Sequence, residues 1–564
     1  MKADRNWWRS AVIYQVYPRS FQDSTGSGMG DLAGITRRID YLAGLGVDAL
    51  WLSPFYPSPQ VDAGYDVAAY CDVDPLFGSL ADFDLLLEAA HNRGLRILID
   101  LVPNHSSDQH PLFQAALASP PGSPQRAMYH FVDADPEKPL TPPSNWTSVF
   151  GGPSWTLVKG VEGERDQWYY HLFAAEQPDF NWENTAVLTF FEDVLRFWLD
   201  RGVDGFRIDV SDALIKNTNW PNTEGGWPDI PKDDSSPVHD IYRHFRGIID
   251  DYPEAMAVIE TGAEDDIVAL FLREDEMHQA FNFRFLKTGW NGGQIAHAVE
   301  ESMAAYSTVG APTTWVTDNH DTTRSVTRYA TGTSLSGAYV PTAHDDEDDF
   351  DPGEGKRRAR AMSVLLLSLP GSAYIYAGQE LGLPEVTDLP YGVLTDPAFF
   401  RTGGEVRGRD GCRVPLPWSG TAAPFGFSDE AEVTTWLPQP AEWDALTVER
   451  QEDDPASMLS LYRHLLQLRR SFTALGTGLV QWVQTPEETA TTDIMHIRFH
   501  PAEPESSPDQ ATIDLIMNFG PEPVGLPPET ADETVLVSSA PLEGAVLPGE
   551  CCALFIRSTA VPSS

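Results

Sequence analysis

Hydrophobic positions along the chain fall into two kinds of run, and the two kinds alternate. "SAVIYQVYP" (10–18), "DALWLSP" (48–54) and "RILIDLVPNH" (96–105) read as strands, separated by the helix-spaced stretches 32–47 and 80–95. After an interval the rhythm resumes with helix 184–202 and "VDGFRIDV" (203–210). "AMAVIE" (255–260), "AFNFRF" (280–285), "TTWVTDNHD" (313–321) and "SAYIYAG" (372–378) complete eight strands, and helix 456–472 closes the set. Eight strands alternating with helices predict an α/β fold, a (β/α)8 TIM barrel. Residues 105–175, rich in Pro, Gly, Ser and Trp and lacking a helical period, are too long for a loop and predict an inserted subdomain after the third strand. The barrel then comprises 1–104 and 176–475, with an excursion after strand eight at about 379–455. From 476 to 564 the texture changes to short alternating segments, "IMHIRFH", "TIDLIMNF", "TVLVSS" and "CCALFIRS", which predict a C-terminal antiparallel β-sandwich. "HDDEDDFDPGEG" (344–355) reads as a solvated acidic loop.

The polar residues interrupting these runs are not scattered. Asp100 to His105 end strand three, Arg207 and Asp209 strand four, Glu260 strand five, and Asn319, His320 and Asp321 strand seven. The C-terminal strand ends of such a barrel converge on one mouth, where chemistry sits. Three carboxylates, an arginine two positions from one of them, and histidines without zinc-ligand spacing suit acid–base chemistry with a nucleophile. Two carboxyl groups roughly 5–5.5 Å apart, one ionised and one protonated, can hydrolyse a glycoside with retention.

Taken in order, "GDLAGI" (30–35), "DLVPNH" (100–105), "QPDFNW" (177–182), "GFRIDV" (205–210), "IE" (259–260), "DNHD" (318–321) and "GRDGCRVPLPW" (408–418) resemble the α-amylase family of glycoside hydrolases, in its α-glucosidase and oligo-1,6-glucosidase branch. The resemblance spans nearly the whole chain. It implies that Asp209 is the nucleophile, Glu260 the general acid/base and Asp321 the carboxylate that grips the sugar's 2- and 3-hydroxyls. Arg207 would support Asp209, and His105 and His320 would bind sugar hydroxyls. Asp62 in "DAGYD" would hold the non-reducing end, with Tyr65 stacked on the ring, closing the pocket beyond one sugar. Phe150, Phe173 and Gln177 would line the pocket, and Arg409 would contact the glucose, with Arg413 a second choice. Asp100 and Asn104 would stand behind. Val210 beside the nucleophile resembles the α-1,6-tolerant enzymes; the plain alternative is a residue that simply favours strands.

The implied function is a retaining exo-acting α-glucosidase on short α-glucosides, with transglucosylation as a side reaction. A glucosyl transferase or isomerase of the same family is the competing reading. A catalytically dead binding protein is disfavoured, because all three carboxylates are present. No cofactor is required. The loop "DSTGSGMGD" resembles a Ca2+ loop of relatives, with Asp23, Thr25, Ser27, the Met29 carbonyl and Asp31 at ligand spacing; two hydroxyls in place of stronger ligands imply weak or absent binding. The acidic excess, 83 Asp and Glu against 38 Lys and Arg, argues against nucleic-acid and anionic-membrane partners. Four cysteines form no CxxC pair, and no run of about 20 apolar residues occurs, so a soluble cytoplasmic protein is expected.

Overall fold

The computed structural model describes residues 4–160, 164–332, 351–430, 432–502, 511–530 and 533–557. Strands β1 (Val12–Val16), β2 (Ala49–Leu52) and β3 (Arg96–Leu101) are followed by β4 (Phe131–Asp133), β5 (Trp155–Val158) and β6 (Gln167–Tyr170), which form the antiparallel sheet β4-β6-β5 within the insertion. Then come β7 (Gly205–Ile208), β8 (Met256–Ile259), β9 (Gln279–Ala280), β10 (Thr314–Val316) and β11 (Ser372–Tyr376). The eight barrel strands pair in parallel in the order β10-β11-β1-β2-β3-β7-β8-β9. The barrel is thus nearly closed, and the Thr314 hydroxyl bridges the seam to the Ala280 carbonyl.

β7 shows how the strand pattern places charge. Phe206 and Ile208 point outward into the core shared with the helices, so Arg207, of opposite parity, points into the barrel. There it is registered opposite Asp100 of β3 and Val258 of β8. Gly205 makes the close pairing feasible: it has φ +157°, and a Cβ there would lie 2.2 Å from the Met256 carbonyl oxygen.

Every barrel strand is shorter than the apolar run that predicts it, and three differ for reasons that bear on the site. The sixth ends at Ala280, because Asn282 caps a helical turn over Phe283–Leu286, its side chain accepting from the Phe285 N–H at 2.9 Å. The seventh ends at Val316, and the fourth at Ile208. Residues 344–350 of the expected acidic loop lie outside the described residues; Asp351 caps helix Pro352–Ser368, so 352–355 are the first helical turn and not loop. At the C-terminal end, β12 (Leu479–Trp482), β13 (Ile494–His500), β14 (Ile513–Asn518), β15 (Val524–Gly525), β16 (Thr534–Ser538), β17 (Val546–Leu547) and β18 (Cys551–Ile556) form a five-stranded antiparallel sheet, β12-β13-β14-β18-β16, and a ribbon, β15-β17. One sheet face joins the barrel core through Leu515, Met517 and Leu554. The other packs Ile516 and Phe555 against Leu547 of the ribbon. The expected sandwich is therefore one sheet held between the barrel and a two-stranded cover.

Gly205→Ala should destabilise the fold by about 3 kcal/mol, since the added methyl can be accommodated only by separating β7 from β8. A urea midpoint equal to that of the unsubstituted protein would contradict this.

Candidate active site

Arg207 is buried at the centre of the mouth. Its Nη1 donates to Asp100 Oδ1 and Asp209 Oδ1, each at 2.6 Å, and its Nη2 donates to Glu260 Oε2 at 2.5 Å. Asp100 is further held by Trp51 Nε1 at 2.9 Å and the Tyr65 hydroxyl at 3.2 Å. One guanidinium therefore faces three buried carboxyl groups. Burial and the neighbouring Glu260 push Asp209 well above the usual carboxylate range, with Arg207 opposing them. Burial also raises Glu260, again against Arg207. Both carboxyl groups meet on the one guanidinium, and burial opposes ionising both, so a proton on the pair is favoured. Asp100, also desolvated, is raised to about 6. Arg207, expected to support Asp209, divides its charge three ways.

The backbone just beyond β7 is strained. Val210 sits in the left-handed region at φ 46° and ψ 46°, a costly conformation for a β-branched residue, so its identity does not reflect strand preference. The turn aims the Val210 N–H at Glu260 Oε2, 3.3 Å away. The side chain packs in a cluster containing Phe150, Phe173 and Trp146.

Asp321 lies in a different electrostatic setting. Arg409 Nη1 and Arg413 Nη2 both donate to its Oδ1 at 2.9 Å, and His320 Nε2 is 3.2 Å from its Oδ2. Burial works against ionisation, yet His320, Arg409 and Arg413 together hold the carboxyl well below its ordinary range. Burial keeps His320 itself neutral, so the two arginines supply the charge. Arg409 Nη2 also reaches Asp62 Oδ1 at 2.8 Å, and Gln177 Nε2 donates to Asp62 Oδ2 at 3.1 Å. Tyr65 stacks on His320 at 5.3 Å, its hydroxyl 2.7 Å from His320 Nε2. His105, pushed down to about 4 by burial, lies 3.1 Å from Gln177 Nε2 and packs on Phe173 at 5.1 Å. The Arg409 guanidinium lies 5.0 Å from the Phe150 ring. The twelve expected catalytic and sugar-binding residues thus form one connected site.

Sequence reading missed several parts of this site. Gln15, a polar residue inside the apolar run of β1, reaches His320 Nδ1 at 2.8 Å. Lys216 is buried, with its ammonium 2.7 Å from both Asp179 Oδ2 and Asn104 Oδ1. Asp396, in the excursion after β11, accepts from Arg409 Nε at 2.6 Å. None of these lies at a strand end, and only the buried-polar position of Gln15 gave a local signal.

The residues of the expected Ca2+ loop do come together, but they do not fit a cation. Asp23 Oδ1 accepts from the N–H groups of Thr25 and Gly26, each at 2.9 Å, and Oδ2 from Gly28 N–H at 2.8 Å. Asp31 accepts from Ser24 N–H and Oγ at 2.8 Å and caps the next helix through Gly34 N–H at 2.7 Å. The Ser27 hydroxyl donates to the Met29 carbonyl at 3.1 Å. Both carboxylates face N–H donors, where a cation would need converging oxygens. Among the described residues no cluster of three or more His, Cys, Asp or Glu is disposed to hold a metal, and no helix is long and apolar enough to cross a membrane.

Residues 15–478 match the family described as alpha amylase, catalytic domain. A probable alpha-glucosidase of Rhizobium meliloti (strain 1021) is 38% identical over 508 residues, covering 86% of each chain. Trehalose-6-phosphate hydrolase of Escherichia coli (strain K12) is 35% identical over 510 residues, 84% of this chain and 86% of that one. The crystal structure of the alpha-glucosyl transfer enzyme XgtA superposes with a TM-score of 0.82 at 33% identity, covering 98% of this chain and 99% of that one.

A carboxyl whose pKa is raised by folding stabilises the fold below its unfolded value, about 4, and that contribution is lost as the pH rises. Asp209→Asn removes the ionisation that burial opposes. The variant should therefore melt higher than the unsubstituted protein at about pH 8, with the gap closing towards about pH 4. Calorimetry showing no gap at high pH, or the widest gap at low pH, would contradict the proton-sharing description.

Proposed function

Because this chain belongs to the α-amylase family and is a glycoside hydrolase acting on α-glucosidic bonds, we propose that it is a retaining, exo-acting α-glucosidase that releases glucose from the non-reducing end of short, uncharged α-glucosides. The observation that carries this reading is Arg409, which ties Asp62 to Asp321. The two carboxylates proposed to bind the sugar are thereby held together at one end of the site, within the reach of one guanidinium. Such a pocket accepts a chain end and excludes the interior of a polymer.

The chemistry follows from the proton shared by Asp209 and Glu260. Both are gripped by the single guanidinium of Arg207, which favours the short separation of a retaining pair over the wider one of an inverting pair. When the glucosyl ring separates them, this reading requires Asp209 to be the carboxylate, held by Arg207, and the proton to lie on Glu260. Asp209 attacks the anomeric carbon while Glu260 protonates the leaving oxygen. Glu260 then takes a proton from water, or from an acceptor alcohol, whose oxygen bonds to the anomeric carbon as the glucosyl–Asp209 bond breaks and Asp209 leaves as the carboxylate. The acceptor route is transglucosylation, a reading favoured by the likeness to a glucosyl transfer enzyme over nearly the whole chain.

Charge argues for a neutral leaving group over a phosphorylated one. Arg207, Arg409 and Arg413 are engaged by carboxylates, Lys216 by Asp179 and Lys232 by Asp212. A phosphate drawn to any of these five would have to displace its carboxylate partner. Val210 contributes an apolar side chain beside the nucleophile, which supports acceptance of isomaltose alongside maltose.

A kcat/KM panel tests the proposal. Maltose and isomaltose should both yield glucose, trehalose 6-phosphate should be at least about 100-fold poorer, and Asp209→Asn should lose at least about 10³-fold in kcat. Preferred turnover of trehalose 6-phosphate, trehalose as the main product from maltose, or an Asp209→Asn variant with near-normal activity would each overturn it.

A further inference from the structure

Arg409 makes three carboxylate contacts, and only two of them involve residues that face the sugar in the proposed reaction. The third partner, Asp396, is fully buried. Its Oδ2 accepts from both the backbone N–H of Arg409 at 2.8 Å and its side-chain Nε at 2.6 Å. Its Oδ1 accepts from Ala398 N–H at 2.8 Å and so starts the short helix Pro397–Arg401. The arrangement is reciprocal: Asp410 Oδ2 accepts from the N–H groups of Thr395 at 2.6 Å and Asp396 at 3.1 Å. Gly408 allows this close approach, because at φ +82° a Cβ there would stand 2.5 Å from Asp396 Cβ and Cγ. The helix is anchored in turn to the insertion, through Arg401 Nε to the Gly151 carbonyl at 2.8 Å.

We propose that Asp396 is a positioning residue for the sugar pocket: by holding the Nε edge of Arg409 it fixes the plane of the guanidinium, so that Nη1 and Nη2 can hold Asp321 and Asp62 at a set separation. A guanidinium has five N–H donors in a rigid fork, so fixing one edge fixes the others. Asp396 can play this part only as a carboxylate. It offers an oxygen to Ala398 on one side and to Arg409 on the other. An Asn of the same shape would turn an NH2 group against one of those donors.

The consequence is long-range and can be measured. Asp396 has no hydrogen bond or ion pair with the segment 61–66, yet it should control the order of that segment through Arg409 and Asp62. Hydrogen–deuterium exchange of the full chain should show about tenfold faster exchange across 61–66 in Asp396→Asn, besides any local change at 394–413. Arg409→Lys keeps the charge but cannot reach Asp62 and Asp396 together, and should loosen 61–66 to the same degree. It carries the test should Asp396→Asn fail to fold. Combining the two substitutions should add nothing further at 61–66. The sugar-facing consequence rests on the α-glucosidase reading: affinity for the glucose-like imino sugar 1-deoxynojirimycin should fall about 10- to 100-fold in Asp396→Asn. Unchanged exchange at 61–66 in a folded variant, or additive effects of the two substitutions, would overturn the proposal. An unsubstituted protein that fails to bind the imino sugar would count against the α-glucosidase reading and leave the exchange result standing.

Discussion

One guanidinium shared among three buried carboxyl groups is the constraint around which this mouth is arranged. Arg207 touches Asp100, Asp209 and Glu260, one each from β3, the end of β7 and the end of β8. A single positive charge cannot keep three desolvated carboxylates ionised, so at least one proton is retained. That proton is what a glycosidase needs in the resting state. The strand architecture exists here to bring the cluster together: alternation along β7 sends Phe206 and Ile208 to the outer core and Arg207 inward, and Gly205 brings β8 close enough for Glu260 to reach it. Trp51 and Tyr65 complete the shell by donating to Asp100.

A few ångströms of side chain away the ratio of charges is reversed in kind. Asp321 receives two guanidinium groups, and Asp62 and Asp396 share one of them. Here arginines are sufficient to keep Asp321 ionised despite complete burial. The mouth therefore contains two carboxylate populations set apart by how many arginines each can claim, a protonated pair suited to bond breaking and an ionised group suited to holding hydroxyls. His105 and His320 are neutral by burial and add donors and acceptors without adding charge.

Much of this was legible in the sequence, for a specific reason. A charged residue at the end of an apolar strand is costly unless it is used, so Asp209, Glu260, Asp321 and Arg207 stood out against their surroundings, and the β/α rhythm placed them at one mouth. Residues without that contrast were hidden. Asp396 lies in a loop where an Asp before a Pro reads as turn chemistry, and its partner is 13 residues further on. Lys216 follows an apolar run but finds Asp179 only after the insertion folds back. Val210 looked like the last residue of a strand, because backbone strain leaves no mark in composition. The apolar run 280–285 failed as a strand because a single capping Asn outweighed the periodicity around it. The 23–31 loop kept a metal-loop spacing while its carboxylates were already satisfied by their own backbone.

The central claim is that Asp209 and Glu260 form a proton-sharing pair in which Asp209 is the group that bonds to the sugar. Trapping with 5-fluoro-α-glucosyl fluoride, followed by peptide mass spectrometry, tests it most directly. The account predicts one fluoroglucosyl adduct per chain, carried by the peptide containing Asp209 and released slowly as a product of retained configuration. An adduct on Glu260 or Asp100, or turnover that yields the inverted β-anomer with no adduct, would contradict it.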